Sequence, residues 1–363
     1  MQQLWKKSPI YWGVFVGCVF WAVVACALTE DEKNNIELYQ KLAPGVVNIT
    51  STALEHDFFF NVVPRQGAGS GSIIDVRGYI LTNHHVIEDA RKLEVTLANG
   101  KKYSAKLIGS DPDTDVAVIK IEARREDLAL IPMGSSDNLK VGQKVIAIGN
   151  PFGLGQTLTT GVISMVGRTL RASSGTLVED MIQTDASINP GNSGGPLIDS
   201  SGKMIGITTA IFSPTGASVG IGLAIPIDVA RRVVNELIDK GYYSYPWFGA
   251  TLLTLSPNLA EALKLSVRTG AMVIEVTPRS PAAKAGLQGG TSRAQIGNYV
   301  LTVGGDIIVK VDGEAVSDAD AVIRKIRKSR PGARVEMELV HWEGGRSKVA
   351  VVLGEQPRSG RNR

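Results

Sequence analysis

The region from residue 46 to residue 210 limits the possible folds of this chain more than any other, because it is built from short β-branched apolar runs with almost no helical period. Residues 46–50, 71–74, 79–82, 93–97, 116–121, 144–148 and 204–210 are each too short for a helix and are separated by Gly, Asn, Asp and Pro. Such runs predict many short antiparallel strands, closed into a barrel or stacked as a sandwich. Helix signals gather only at Asp228, which can cap a segment whose Val229, Val233, Val234, Leu237 and Ile238 share one face before Gly241 ends it. The stretch 242–247, aromatic and with Pro246, makes a boundary. Beyond it the pattern becomes that of a smaller α/β unit. Ser280 and Pro281 open a short helix that Gly286 closes, Asp312-Gly313 marks a tight turn after 307–311, a helix starts at Ser317, and 335–340 and 348–353 read as strands. The expected organisation is therefore a polar linker over 29–45, a β domain over 46–243, an α/β domain over 244–355 and a basic tail over 356–363.

Residues 8–28 carry no charged side chain, and as a helix they would be roughly 30 Å long, enough to cross a bilayer core. Lys6 and Lys7 precede this run, whereas Glu30, Asp31 and Glu32 follow it. The positive-inside rule then leaves the N-terminus in the cytoplasm and exports the rest, with the membrane as a partner of residues 1–28. Ala25-Cys26-Ala27 also reads as a signal-peptidase site, and Val23-Val24-Ala25-Cys26 as a lipoprotein box. Both cysteines, Cys18 and Cys26, lie in this run, so the exported body can hold no disulfide, thiol nucleophile or cysteine-based zinc site. A net charge of +4, with no stripe of Lys and Arg interleaved with aromatics, gives no nucleic-acid surface. The basic stretches 324–330 and 358–363 read as a solvated helix face and a chain end.

The most informative stretch is Pro190-Gly-Asn-Ser-Gly-Gly-Pro196. A serine hydroxyl attacks only when a base removes its proton and backbone N–H groups receive the oxyanion that develops. Glycines around Ser193 permit the tight turn that exposes such donors. On its own such a loop is more often a turn than a nucleophile. Here it follows a histidine in Thr82-Asn83-His84-His85-Val86 and an aspartate in Asp111-Pro-Asp-Thr-Asp-Val116, which is the chain order of chymotrypsin-type enzymes. The glycine-rich stretches 67–71 and 149–155 lack the spacing and strand-to-helix context of a phosphate loop.

Together TNHHV, DPDTDVAVIKI and QTDASINPGNSGGPL resemble the motifs of the HtrA/Deg serine proteases, and the resemblance extends over essentially the whole exported chain. It implies a mainly β fold, a chymotrypsin-like double β-barrel followed by a smaller α/β PDZ domain, which with residues 1–28 gives an N-terminal transmembrane helix and a membrane-anchored, DegS-like protein. It further implies a serine endopeptidase of the bacterial envelope, single-pass in the inner membrane with its catalytic body in the periplasm. The fourth residue of Thr-x-x-His is His85, and the aspartate directly before the apolar strand is Asp115, so the implied triad is His85, Asp115 and Ser193. Gly191 and Ser193 would supply the oxyanion donors. His84 reads as a loop side chain, Asp111 and Asp113 as turn formers, and His56 and His341 as surface residues.

In trypsin-like enzymes that cut after basic residues an aspartate stands six positions before the nucleophile; here that residue is Ser187. Ile221, Gly222 and Leu223 resemble the strand lining the substrate pocket, which implies a small aliphatic residue before the cut, with Ile221 and Leu223 as plain core residues being the other reading. Trp247, Phe248, Gly249 and Ala250 resemble the carboxylate-binding loop of a PDZ domain, which receives a peptide C-terminus by β-augmentation. The implied partners are unfolded or regulatory protein substrates and peptide C-termini, with a homotrimer to which the run Phe58-Phe59-Phe60 could contribute. No cofactor or metal is expected. The competing reading is an envelope chaperone or stress sensor with little proteolysis, and the presence of all three triad residues argues against it.

Overall fold

In the computed structural model, residues 28–56, 62–153, 155–171, 177–209, 220–296 and 299–357 are described. Residues 1–27 of the expected N-terminal segment over 1–28, Phe58-Phe59-Phe60 and residues 358–363 of the expected tail over 356–363 lie outside them. The chain divides into two compact units, Met1–Tyr243 and Ser244–Arg363.

The first unit contains two closed six-stranded antiparallel barrels. Strands β1 (Val46–His56), β2 (Val62–Ile73), β3 (Tyr79–Asn83), β4 (Lys92–Thr96), β5 (Lys102–Asp111) and β6 (Val116–Ile121) close in the order β1-β2-β3-β6-β5-β4. Strands β7 (Lys144–Gly149), β8 (Thr157–Arg171), β9 (Leu177–Thr184), β10 (Pro196–Asp199), β11 (Met204–Thr209) and β12 (Gly222–Pro226) close in the order β10-β11-β12-β9-β8-β7. Closure leaves neither sheet a free edge, which lets runs of only four to six residues persist as strands. Each barrel has its own apolar filling, Val47, Ile49, Ile73 and Ile119 in the first and Val145, Ile163, Ile182 and Ile205 in the second. A third cluster joins them: Leu81, Val116 and Val118 pack with Ile146, Ile148, Ile207 and Leu223.

Two helices differ from the sequence reading. The expected linker is helix α1 (Glu30–Leu42), started by a capping box in which Glu32 N–H donates to Thr29 Oγ1 at 3.1 Å and Thr29 N–H donates to Glu32 Oε2 at 2.7 Å. Its acidic first turn obscured an apolar side, on which Leu38 and Leu42 are buried in the joining cluster. After the single turn α2 (His84–Ile87), the long helix α3 (Ile227–Lys240) has Pro226 rather than Asp228 at its cap, and Gly241 ends it with φ 83°. Asp228 instead accepts Ser136 N–H at 2.6 Å and the hydroxyls of Ser135 and Ser136 at 2.8 and 2.9 Å. Burial works against ionisation of this carboxyl, but those donors and Arg231 outweigh it and hold the group below the usual aspartate range.

The second unit opens with β13 (Pro246–Trp247), β14 (Ala250–Leu255), α4 (Pro257–Ala262), β15 (Gly270–Val276), α5 (Pro281–Lys284) and a hairpin, β16 (Ser292–Ile296) with β17 (Tyr299–Val303), that the sequence reading had left unassigned. It continues through β18 (Ile307–Val311), β19 (Glu314–Ala315), α6 (Ala319–Arg327), β20 (Arg334–Val340), β21 (Arg346–Val352) and β22 (Gly354–Glu355). The main sheet runs β14-β15-β18-β20-β21, with β19 paired to β18 and β13 paired to β22. Val322 and Ile326 of α6 pack on Val335, Met337 and Leu339, the alternate buried residues of β20.

The expected fold class needs correction at its N-terminal end, where it included a transmembrane helix. Among the described residues no helix is long and apolar enough to cross a membrane. The physical reason for the misreading is that an uncharged apolar run has the same hydropathy whether it stays in a bilayer or directs export, so residues 8–28 could not by composition specify a spanning element.

Candidate active site

Strand register brings the first two site residues together. β3 pairs antiparallel with β6 so that Asn83, its last residue, lies opposite Val116, the first residue of β6. His85 follows Asn83 by two positions and Asp115 precedes Val116 by one, so the two meet at one end of the barrel. His85 Nδ1 lies 2.8 Å from Asp115 Oδ2 and 3.1 Å from Oδ1, and His85 N–H donates to Oδ1 at 2.9 Å. A carboxylate can only accept, so the ring proton sits on Nδ1 and Nε2 keeps its lone pair.

Asp115 is itself tightly held. Its φ is 55°, in the left-handed region that aspartate tolerates better than most residues, and it is 8% exposed. Its carbonyl accepts His84 N–H and Asn83 Nδ2, each at 3.0 Å, while Thr209 Oγ1 donates to Oδ2 at 3.2 Å. Asn83 and Thr209 were not singled out in the sequence, because nothing local to either one points to residue 115. The neighbouring histidine is placed differently: among the described residues His84 Nδ1 is buried with no hydrogen-bond partner, and Nε2 is 3.7 Å from Glu88 Oε1. Asp111 accepts Thr114 Oγ1 at 2.5 Å and Asp113 N–H at 3.3 Å, which is turn-forming geometry.

Ser193 belongs to the second barrel, in the loop between β9 and β10. The loop is pinned by Asn192 N–H to Asn189 O at 3.0 Å, Gly194 N–H to Thr208 O at 2.8 Å and Gly195 N–H to Asn192 O at 2.9 Å. Gly191 has φ 102°, and a Cβ there would meet Pro151 at 2.5 Å; at Gly194, with φ 83°, it would meet Ser70 O at 2.2 Å. No larger residue fits at either position. Among the described residues the N–H groups of Gly191 and Ser193 have no acceptor within the chain, and no hydrogen bond joins Ser193 Oγ to His85. Such bonds are often loose in the absence of substrate.

Of the residues expected to line the substrate pocket, Ser187 and Ile221 are exposed, whereas Gly222 and Leu223 are buried. The Ser187 carbonyl accepts Thr159 Oγ1 at 3.1 Å and Asn192 Nδ2 at 3.3 Å. Ile221 is 42% exposed, whereas Leu223 is 2% exposed and packs in the cluster that joins the barrels. Gly222 is buried where a Cβ would meet Ile188 at 2.7 Å.

In the second unit Gly249 has φ 79° and no room for a Cβ, which would lie 2.2 Å from Ser280. Phe248 O accepts Ala282 N–H at 2.7 Å and Gly249 O accepts Thr277 N–H at 2.9 Å, so both carbonyls point into the unit. Among the described residues the N–H groups of Phe248 and Gly249 have no loop acceptor, as an anion nest requires. Trp247 pairs with Gly354, and Ala250 begins β14, an edge of the sheet.

The Trypsin-like peptidase domain model matches residues 69–207, and the PDZ domain model matches residues 249–353. The chain is 45% identical over 334 residues to Protease Do-like 1, chloroplastic, of Arabidopsis thaliana, covering 91% of this chain and 74% of the relative. It is 45% identical over 289 residues to a probable periplasmic serine endoprotease DegP-like of Chlamydia trachomatis, covering 80% of this chain and 54% of the relative. The chain thus spans about half the length of the bacterial relatives. Among solved structures, the HtrA-type protease AlgW with decapeptide matches with a TM-score of 0.74 at 35% identity, over 90% of this chain and 99% of that one. The serine endoprotease from Yersinia pestis matches with a TM-score of 0.64 at 32% identity, over 91% of this chain and all of the other.

These relatives correct the expectation of a membrane-anchored, DegS-like protein in the inner membrane with the membrane as a partner. The bacterial ones are named as periplasmic and DegP-like, and a spanning segment is not needed to account for an apolar N-terminal run. With most of its length matched by a Do-like protease in sequence and by HtrA-type proteases in three dimensions, the chain belongs to the HtrA/Deg family of serine endopeptidases, with a trypsin-like domain followed by a PDZ domain.

Proposed function

We propose that peptide hydrolysis in this chain runs through Ser193, His85 and Asp115, on unfolded or regulatory proteins of the periplasm. His85 Nε2 takes the Ser193 hydroxyl proton as Oγ attacks the scissile carbonyl, and the carbonyl electrons move to oxygen. The N–H groups of Gly191 and Ser193 receive that oxyanion. The intermediate collapses, the C–N bond breaks, and the proton on His85 passes to the leaving amine. Water then repeats the sequence on the acyl-enzyme, and Ser193 regains its proton. Asp115 holds the ring orientation and stabilises the imidazolium.

The observation that carries this reading is the double grip of one carboxylate on His85, at ring Nδ1 and at backbone N–H. Ser187 puts no fixed charge at the base of the substrate pocket, which supports preference for a small aliphatic residue such as Val before the cut. The unpaired N–H groups of Phe248 and Gly249 support capture of a peptide carboxylate beside β14. The test is cleavage of unfolded casein by the full chain and by Ser193→Ala. Loss of cleavage in a variant that still melts cooperatively is the expected result; retained cleavage would assign the nucleophile elsewhere.

A further inference from the structure

Ser70, on β2 of the first barrel, holds the carbonyls of both residues assigned to the oxyanion site of the second. Its N–H donates to Ser193 O at 2.7 Å, and its hydroxyl donates to Gly191 O at 2.5 Å. The same hydroxyl accepts Asn150 N–H at 2.8 Å, and Ser70 O accepts Thr82 Oγ1 at 2.7 Å, three residues before His85. Ser70 is wholly buried.

We propose that Ser70 is a positioning residue for the oxyanion donors, an inference that rests on the assignment of Ser193 and Gly191 made above. A hydroxyl has one proton. With Asn150 N–H on one lone pair, the Ser70 proton goes to Gly191 O, while Asn192 N–H at the other end of the same peptide donates to Asn189 O at 3.0 Å, so that peptide is held at both ends. Pro151 fills the space beside Gly191, 2.5 Å from where a Cβ would stand. Held by its carbonyl and by Pro151, Gly191 keeps the left-handed φ that decides where its own N–H points. Backbone donors work in catalysis only when aimed beforehand at the developing charge. Removing the Ser70 hydroxyl leaves Gly191 O and Asn150 N–H unpaired in a buried place and frees that end of the peptide to reorient.

The test uses the full chain, with kcat and KM on a Val-containing reporter peptide and the inhibition constant of a peptidyl aldehyde, whose adduct with Ser193 bears the oxyanion. Ser70→Ala is expected to lower kcat roughly 10–100-fold and to weaken the aldehyde by a similar factor, with KM within about twofold. The low-field proton resonance of His85 Nδ1 should persist, since the His85–Asp115 pair lies outside the clamp. Ser70→Cys, which keeps a weak donor, should fall between wild type and Ser70→Ala. An unchanged kcat overturns the proposal, as does joint loss of kcat and of the low-field resonance, which would make Ser70 a general tie between the barrels. If neither variant folds, the residue serves the fold and the positioning role fails. Cleavage by Ser193→Ala would instead remove the reading underneath.

Discussion

Thr209 Oγ1 donates to Asp115 Oδ2 at 3.2 Å, joining the last residue of β11 in the second barrel to the residue that enters β6 in the first. Both are buried, so the bond is shielded from water. Thr209→Val should keep the volume and remove the donor. A hydrogen bond to a charged group contributes about 1.5–3 kcal/mol, so kcat on a reporter peptide should fall roughly 10–100-fold with KM little changed. A full-rate Thr209→Val would leave orientation of the carboxylate to His85 and its own backbone alone.

The adjacent histidines should separate cleanly. His85→Ala is expected to lower kcat by about 10⁴-fold or more. His84→Ala should keep most activity, because among the described residues its ring makes no hydrogen bond to Asp115 or the Ser193 loop and only its N–H bonds Asp115 O. The reverse pattern in a casein assay would overturn the assignment.

Helix α1 is part of the protease core. Leu42 is 1% exposed within the cluster that joins the barrels, so Leu42→Ala should cost about 2–5 kcal/mol and lower the melting temperature of the first unit. Calorimetry of the full chain reads this directly; an unmoved transition would show the helix to be dispensable.

In the second unit Ser317 Oγ and Ala321 N–H both donate to Asp318, the cap of α6, and hold its carboxyl below the usual aspartate range. A depressed carboxyl stabilises the fold fully above its unfolded value, and that contribution disappears as pH falls through the folded value. Asp318→Ala should therefore weaken amide protection in α6 by about 1 kcal/mol at neutral pH, with the difference closing below roughly pH 4. Hydrogen exchange at the two pH values checks both the size and the sign.

A peptide with a free apolar C-terminus should bind the 247–250 loop. Amidation removes the charge that the Phe248 and Gly249 N–H groups would receive, so affinity for the amide should fall about tenfold or more. Equal binding of acid and amide by calorimetric titration would mean that the loop does not read a carboxylate.

Part of this outcome was legible in the chain itself. Short β-branched runs separated by turn residues forced a β architecture, because no run could bury an amphipathic helix face. The motifs around His85, Asp115 and Ser193 stood out because each proposed role needs a particular residue in a particular local setting. Gly241 and the Ser280-Pro281 pair marked helix ends for the same local reason.

Tertiary structure decided what depends on partners distant in sequence. Thr209 meets Asp115 across 94 positions and Ser70 meets Gly191 across 121, separations that only barrel closure and packing of one barrel on the other can bridge. Leu223 was buried in the joining cluster, and α1 formed where acidic residues had suggested a linker, because both are settled by what packs against them. The apolar run before residue 29 could not by itself specify an anchor, for a related reason: hydropathy measures a segment's solubility in lipid and carries no information on whether it remains there.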